Sequence, residues 1–277
     1  MHLTIRRYQK DKSYDETFNI ASLKITTLLA ALYEIKAKLD PTLTFEAGCR
    51  SGICGACAVR VNGREVLACS HTPADGERIE PLRYHPVQRD LKVDRSKALQ
   101  TLDAALPFKQ KESQSDSNRN SSLFTLHSSL SPLSPKEEKR FRRQSDCILC
   151  DSCTSACPVL AVNPDFLGPF ALTRALRYLE DPRVTAESQS DSVPQHPAPN
   201  TQHPVLLDNV QKNGIWDCTL CGECTAVCPQ HIDPKADIMQ LRSESLQSGY
   251  TDPTYAAQNF GGPDFGGNFG FDPNGGF

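Results

Sequence analysis

Cys49-Arg50-Ser51-Gly52-Ile53-Cys54-Gly55-Ala56-Cys57 is the stretch on which the fold turns. Its cysteines are spaced x4 and x2, and a fourth, Cys69, follows across an x11 gap. That spacing is the one a plant-type [2Fe–2S] site uses. Gly52 and Gly55 lie between the thiols, where a missing Cβ lets backbone amides approach sulfur. N–H groups aimed at sulfur tune the potential of such a site. Arg50 adds a positive charge beside it or is an ordinary solvated arginine. On either side the chain reads as a small mixed fold. Leu3-Thr4-Ile5-Arg6-Arg7-Tyr8 alternates as a strand does. Thr26-Thr27 caps a helical run through Leu28, Leu29, Leu32 and Ile35. Cys57 to Arg60 and Glu65 to Cys69 flank Asn62-Gly63, a strong hairpin signal, so Cys69 arrives from the far strand. A β-grasp ferredoxin domain over residues 1–105 accommodates all of this.

The other eight cysteines form two further sets. Cys147, Cys150, Cys153 and Cys157 precede Pro158, and Cys218, Cys221, Cys224 and Cys228 precede Pro229. Each reads C-x2-C-x2-C-x3-C-P, the bacterial ferredoxin run, in which the fourth cysteine ligates the other cluster. The expected [4Fe–4S] ligand sets are therefore Cys147, Cys150, Cys153 with Cys228, and Cys218, Cys221, Cys224 with Cys157. The prolines direct the chain away from the metal. Zinc sites and disulfides are the alternatives. Zinc gives no reason for a third CxxC step ending in Cys-Pro. Disulfide frameworks belong to short exported domains, and residues 1–15 show no secretory signal.

The chain has 277 residues, 38% of them hydrophobic, and a formal charge of −3. The expected fold class is α+β, with the N-terminal β-grasp domain joined by a linker over 106–134 to an all-α, bacterial-ferredoxin-like domain over 135–245. In that second domain Gly168-Pro169 opens a helix lined by Leu172, Leu176 and Leu179. A polar stretch from Val184 to Pro204 reads as a surface loop. Residues 246–277 form a low-complexity tail, expected to be disordered, whose phenylalanines offer anchors for a partner or have no role. The slightly acidic balance speaks against nucleic acid as a partner. No stretch reaches the roughly 18 apolar residues of a membrane span. Dinucleotide and phosphate loops are missing, and the seven histidines form no catalytic grouping. No catalytic residue is expected in this chain, so substrate chemistry belongs to another polypeptide and this one is a carrier of single electrons.

Leu39-Asp40-Pro41-Thr42-Leu43 ahead of the first cysteine loop, Asn62-Gly63 with Leu67-Ala68-Cys69, and Pro81-Leu82 with Asp90-Leu91 resemble the iron–sulfur subunits of succinate dehydrogenase and fumarate reductase. So do Cys147-Ile148-Leu149-Cys150, Asp165-Phe166-Leu167-Gly168-Pro169 and Gly214-Ile215-Trp216-Asp217-Cys218. The resemblance spans roughly residues 1–245. It implies an FAD-containing flavoprotein partner that interconverts succinate and fumarate, a cysteine-rich or membrane-anchor third subunit, and quinone reached indirectly. The implied order runs from flavin past the Cys49, Cys147 and Cys218 sites to the quinone-reactive partner.

Two departures stand out. Most of the family carry a non-cysteine residue at the position of Cys221 and hold a [3Fe–4S] centre. Here Cys221 implies [4Fe–4S], with [3Fe–4S] the alternative if it does not ligate. After Pro158 come Val159, Leu160, Ala161 and Val162, without the family's tryptophan of the quinone site. Both features resemble the non-classical branch that includes methylmenaquinol:fumarate reductases. The alternative readings are the iron–sulfur subunit of another flavoenzyme, such as thiol-linked fumarate reductase, or a stand-alone polyferredoxin. The implied location is a peripheral membrane complex on the cytoplasmic face, or on the periplasmic face by co-export with the flavoprotein.

Overall fold

A computed structural model describes residues 1–9, 12–20, 25–105, 133–181 and 204–253. Nearly all of the expected linker, the Val184–Pro204 stretch up to its last residue, and the tail from residue 254 onward lie outside the described residues.

The N-terminal domain is a mixed sheet closed by one helix. Strands β1 (His2–Gln9) and β2 (Lys12–Asn19) form an antiparallel hairpin in unbroken register from His2 against Asn19 to Gln9 against Lys12. β3 (Ala58–Val61) and β4 (Arg64–Leu67) form the expected second hairpin. Its turn residues, Asn62 and Gly63, both have positive φ (49° and 87°), as a turn matched to strand twist requires. Between the hairpins runs β5 (Glu77–Glu80), parallel to β1 and antiparallel to β3, giving the order β2-β1-β5-β3-β4. The charged Glu-Arg-Ile-Glu of β5 hides a central strand. Ile79 faces the core, while Glu77 meets His71 and Arg78 meets Asp15 and Glu80.

Helix α1 (Leu28–Lys38) begins where its hydroxyls predict, with the Thr27 side chain accepting from the Ala30 N–H at 3.2 Å. Its Leu28, Leu32 and Ile35 bury against Leu3, Ile5 and Ile79 of the sheet, with Leu43 in the same core. A small hairpin, β6 (Val87–Arg89) with β7 (Lys92–Val93), and helix α2 (Ser96–Ala105) complete the domain.

Arg7, on β1, is 3% exposed and donates to Asp90, Asp40, Glu16 and Thr42. Asp90 also accepts from the Tyr8 and Thr44 amides. Hydrogen bonds from Thr42 and Arg7 hold the Asp40 carboxyl down at about 2. The aspartates of the Leu39–Leu43 and Asp90-Leu91 motifs thus meet on one buried arginine, which pins the segment leading into the first cysteine loop.

The second domain is helical, as expected. Helix α3 (Pro135–Ser145) opens with a capping box between Ser134 and Glu137. Short helices α4 (Ser152–Ala156) and α7 (Glu223–Ala226) lie inside the two cysteine runs. α5 (Gly168–Leu179) is the core element, with Gly168 at φ 85° and Pro169 in its first turn. Its Leu172 and Leu176 pack with Leu206 of α6 (Pro204–Asn209) and with Ile238 and Leu241 of α8 (Pro234–Gln247), while Leu179 packs at the margin. Buried Asp237 of α8 accepts from Gln144 of α3 and Thr173 of α5, both at 2.9 Å, so three helices share one satisfied carboxylate. α8 runs to Gln247, just past the expected boundary of this domain. Among the described residues no helix is long and apolar enough to cross a membrane.

Candidate iron–sulfur centres

The first cysteine loop is built by backbone donors. Cys49 Sγ accepts from the amides of Ser51, Ile53 and Cys54 at 3.2–3.4 Å. Cys54 Sγ accepts from the Cys49 amide at 3.3 Å, and Cys69 Sγ from the Gly52 amide at 3.2 Å. Gly52 sits at φ 76° and Gly55 at φ 70°, backbone that side chains rarely tolerate, and this curl turns the amides inward. Three N–H donors pull the Cys49 thiol down to about 6. Burial pushes the Cys57 thiol up to about 11. Cys57 enters β3 and Cys69 leaves β4, and the Ala68 amide bonding the Cys57 carbonyl at 3.0 Å locks them side by side. Arg50 lies over the Tyr33 ring at 5.0 Å, so its reach is fixed by an aromatic face.

The two ferredoxin runs fold alike. Leu149 and Leu220, each between the first two cysteines of its run, have φ of 55° and 56°. Asp151 and Gly222, one residue after the second cysteine, are again left-handed, at 60° and 87°. Each run then enters its short helix and ends in Cys-Pro. One cavity is lined by Cys147, Cys150, Cys153 and, from the other run, Cys228. Cys157 of the first run feels the charges of Cys218 and Cys221, and Cys224 those of Cys218 and Cys157. Burial raises the Cys147, Cys150, Cys153, Cys157, Cys218 and Cys224 thiols, and Cys224 reaches about 12. A coordinating thiol is deprotonated outright, so loading these buried sulfurs with iron releases protons and couples metal binding to folding. Amide-bonded sulfurs around one loop, and four thiols converging on one cavity, fit a [2Fe–2S] site and one cubane site respectively.

The domains meet at their cysteine loops. A Cβ on Gly55 would fall 2.7 Å from Cys150 Cβ and 2.9 Å from the Ile148 carbonyl, so the first loop lies directly on the second cysteine set. Around this contact a polar lock closes. The Ser155 hydroxyl donates to buried Glu65 at 2.7 Å and accepts from the Arg83 amide at 2.9 Å, while Arg83 Nε donates to the Ser155 carbonyl at 3.0 Å. Arg95 holds the Gly55 and Ala56 carbonyls at 3.3 and 3.1 Å, and Gln230 reaches the Gly52 carbonyl at 3.1 Å. None of Glu65, Arg83, Arg95 or Ser155 stands out in the sequence, because each is an ordinary polar residue until its distant partner is known. Asp151 is buried beside them, with Oδ1 unpartnered among the described residues, and burial pushes its carboxyl up to about 6 against the charge of Arg95.

Residues 2–100 match the family described as 2Fe-2S iron-sulfur cluster binding domain, and residues 143–232 the family described as 4Fe-4S dicluster domain. The chain is 35% identical over 254 residues to the fumarate reductase iron-sulfur subunit of Haemophilus influenzae, covering 89% of this chain and 93% of that protein. It is 34% identical over 261 residues to the 8-methylmenaquinol:fumarate reductase iron-sulfur subunit of Wolinella succinogenes, covering 90% of this chain and 74% of that one. Among solved structures, a chain of the Mycobacterium smegmatis Sdh1 complex superposes with a TM-score of 0.70 at 20% identity, over 90% of this chain and 97% of that one. That likeness bears on the fold.

Proposed function

Since this chain belongs to the family of fumarate reductase and succinate dehydrogenase iron–sulfur subunits, we propose that its twelve cysteines hold three clusters in a row and that it hands single electrons along that row. The family's role is electron transfer between a flavoprotein and the quinone-side subunits of a dicarboxylate oxidoreductase. One [2Fe–2S] and two [4Fe–4S] or [3Fe–4S] clusters, when bound, supply one-electron redox chemistry.

The ligand assignment is Cys49, Cys54, Cys57 and Cys69 for the first site. Cys147, Cys150, Cys153 and Cys228 form the second, and Cys157, Cys218, Cys221 and Cys224 the third. The contact of Gly55 with Cys150 carries this reading, because it seats the first loop on the second ligand set with no intervening side chain. The crossing of Cys157 and Cys228 does the same between the second and third. The remaining residues exclude water and fix the loops: Arg95 and Gln230 tie down carbonyls of the first loop, and Glu65 with Ser155 closes the seam.

For the finer identity, the position of Cys221 supports a full cubane at the third site. The exposed Val162 and the absence of tryptophan between Pro158 and Val162 support the non-classical branch, with a cysteine-rich third subunit in place of a haem-bearing anchor. The complex is then peripheral to the membrane, at the cytoplasmic face. The test is anaerobic purification of the native complex followed by succinate. Partial bleaching of visible absorbance that fumarate reverses is the expected outcome. Clusters that answer dithionite but not succinate would assign the chain to a different flavoenzyme. In the same preparation a Cys221→Ser variant should lose one iron per chain and gain the EPR signal of an oxidised [3Fe–4S] centre. The same signal in the anaerobic wild-type protein would show that Cys221 is not a ligand.

A further inference from the structure

Arg174 of α5 is half-buried, and its Nε is closed off from solvent with no hydrogen-bond partner among the described residues. The carboxylates that follow α5 are engaged by other arginines, Glu180 by Arg140 at 2.7 Å and Asp181 by Arg177 at 3.4 Å. The Arg174 guanidinium stands 6.0 Å from the centre of the Tyr178 ring, which Arg177 already covers at 4.9 Å. A cation partly withdrawn from water carries a cost unless an opposite charge answers it.

The first ferredoxin run supplies that charge. Phe170 and Thr173 of α5 line the cavity shared by Cys147, Cys150, Cys153 and Cys228. Positions 170, 173 and 174 are spaced i, i+3 and i+4, so Arg174 lies on the helix face turned toward this cavity. Burial raises the Cys147 thiol, while the Leu149 amide and the charge of Arg174 pull against it. At Cys150 and Cys153 burial is joined by the charge of Asp151, which acts with the opposite sign. The four cysteines thus stand between an anion on their own loop and a cation on the core helix.

Given the proposed assignment of Cys147, Cys150, Cys153 and Cys228 to one [4Fe–4S] centre, on which this inference rests, we propose that the charge of Arg174 sets the potential of that centre, holding it above what four thiolates alone would give. Each electron taken up adds one negative charge to a site that its thiolates already make anionic. A fixed cation beside it favours the reduced form, and net charge is one of the properties that set such potentials. Arg174 touches no thiol in this role; it acts through its field.

EPR-monitored redox titration of the cluster-loaded full chain, under anaerobic conditions, tests this. Arg174→Met should make reduction of one [4Fe–4S] centre about ten-fold less favourable, a fall of about 59 mV for one electron, while the other midpoints hold. Arg174→Gln removes the same charge in a polar side chain, so a variant that does not load leaves a second to read. Arg174→Lys should stay near the wild type, and Arg174→Glu should fall about twice as far as Arg174→Met. Loss of packing or entry of water would shift the Met and Glu variants alike. An unchanged midpoint in the neutral variants would overturn the proposal. So would equal shifts in Met and Glu, a Lys variant as low as Met, or equal shifts at both [4Fe–4S] centres. Wild-type protein that loads iron but shows no reduced [4Fe–4S] signal would overturn the ligand assignment itself, and the proposal with it.

Discussion

The two ferredoxin runs are nearly the same structure in opposite surroundings. Both place a leucine in the left-handed region after their first cysteine, then Asp151 or Gly222 in the same conformation, and both end in Cys-Pro. Yet Cys150, Asp151 and Ser152 are buried beneath the sheet domain, whereas Cys221 is exposed and Gly222 partly so. The turn geometry is fixed by what a cubane asks of a thiolate triplet, so it repeats. Burial differs because the sheet domain lies over Cys150 to Ser152 and leaves Cys221 open. The inward run, Cys147 to Cys157, is walled in. The outward run, Cys218 to Cys228, keeps the Cys221 thiol at the surface.

The sharpest way to break this contrast is Gly55→Val. The new Cβ meets Cys150 Cα and the Ile148 carbonyl, both at 2.9 Å, and neither backbone atom can swing aside. Left-handed strain and overpacking together cost about 3–5 kcal/mol. Iron content and thermal midpoint should both fall, with the deficit at the Cys147 site as well as at the mutated loop. A variant that keeps all its iron and its midpoint would show that the first loop does not wall in the first run.

Ser155→Ala is expected to cost less, about 1–3 kcal/mol, the usual penalty for stranding a buried partner. The stranded group is Glu65, 4% exposed, which among the described residues keeps longer contacts to Arg60 at 3.5 Å and Arg83 at 3.9 Å. Denaturation of the loaded protein should register the loss, while the outward run keeps its spectroscopic signature. Loss of the third cluster in this variant would mean that the runs are not independent.

What was legible in the sequence divides along the same line. Cysteine spacing, Asn62-Gly63, Thr27 ahead of an apolar helix and Gly168-Pro169 are local signals, each sufficient within a few residues, and each element appears where expected. The seam was not legible. Ser155 meets Glu65 across ninety positions of sequence and Arg83 across seventy-two. Asp40 and Asp90 belong to quoted motifs, but nothing in the chain announces Arg7 as the residue that joins them. β5 was hidden because its charges are neutralised by residues from elsewhere in the fold rather than by its own alternation.

Asp151 offers the finest test, because here the two runs differ by a single side chain at one backbone position. Gly222 fills the left-handed site in the outward run without strain or charge. Asp151 fills it in the inward run with a buried carboxyl whose Oδ1 has no partner among the described residues. Asp151→Gly makes the runs alike at this point. Removing a buried unsatisfied group returns about 1–3 kcal/mol. Against that, glycine's extra freedom in the unfolded chain costs roughly 0.5–1 kcal/mol. The net expectation is a gain of about 1 kcal/mol, read as a rise in thermal midpoint of the loaded chain. A carboxyl kept in place at a stability cost then has a role that stability does not measure, beside the Cys150 thiolate and within the field of Arg95. If the glycine variant is instead destabilised, the carboxyl holds the turn, and the inward run needs a support that the outward run does without.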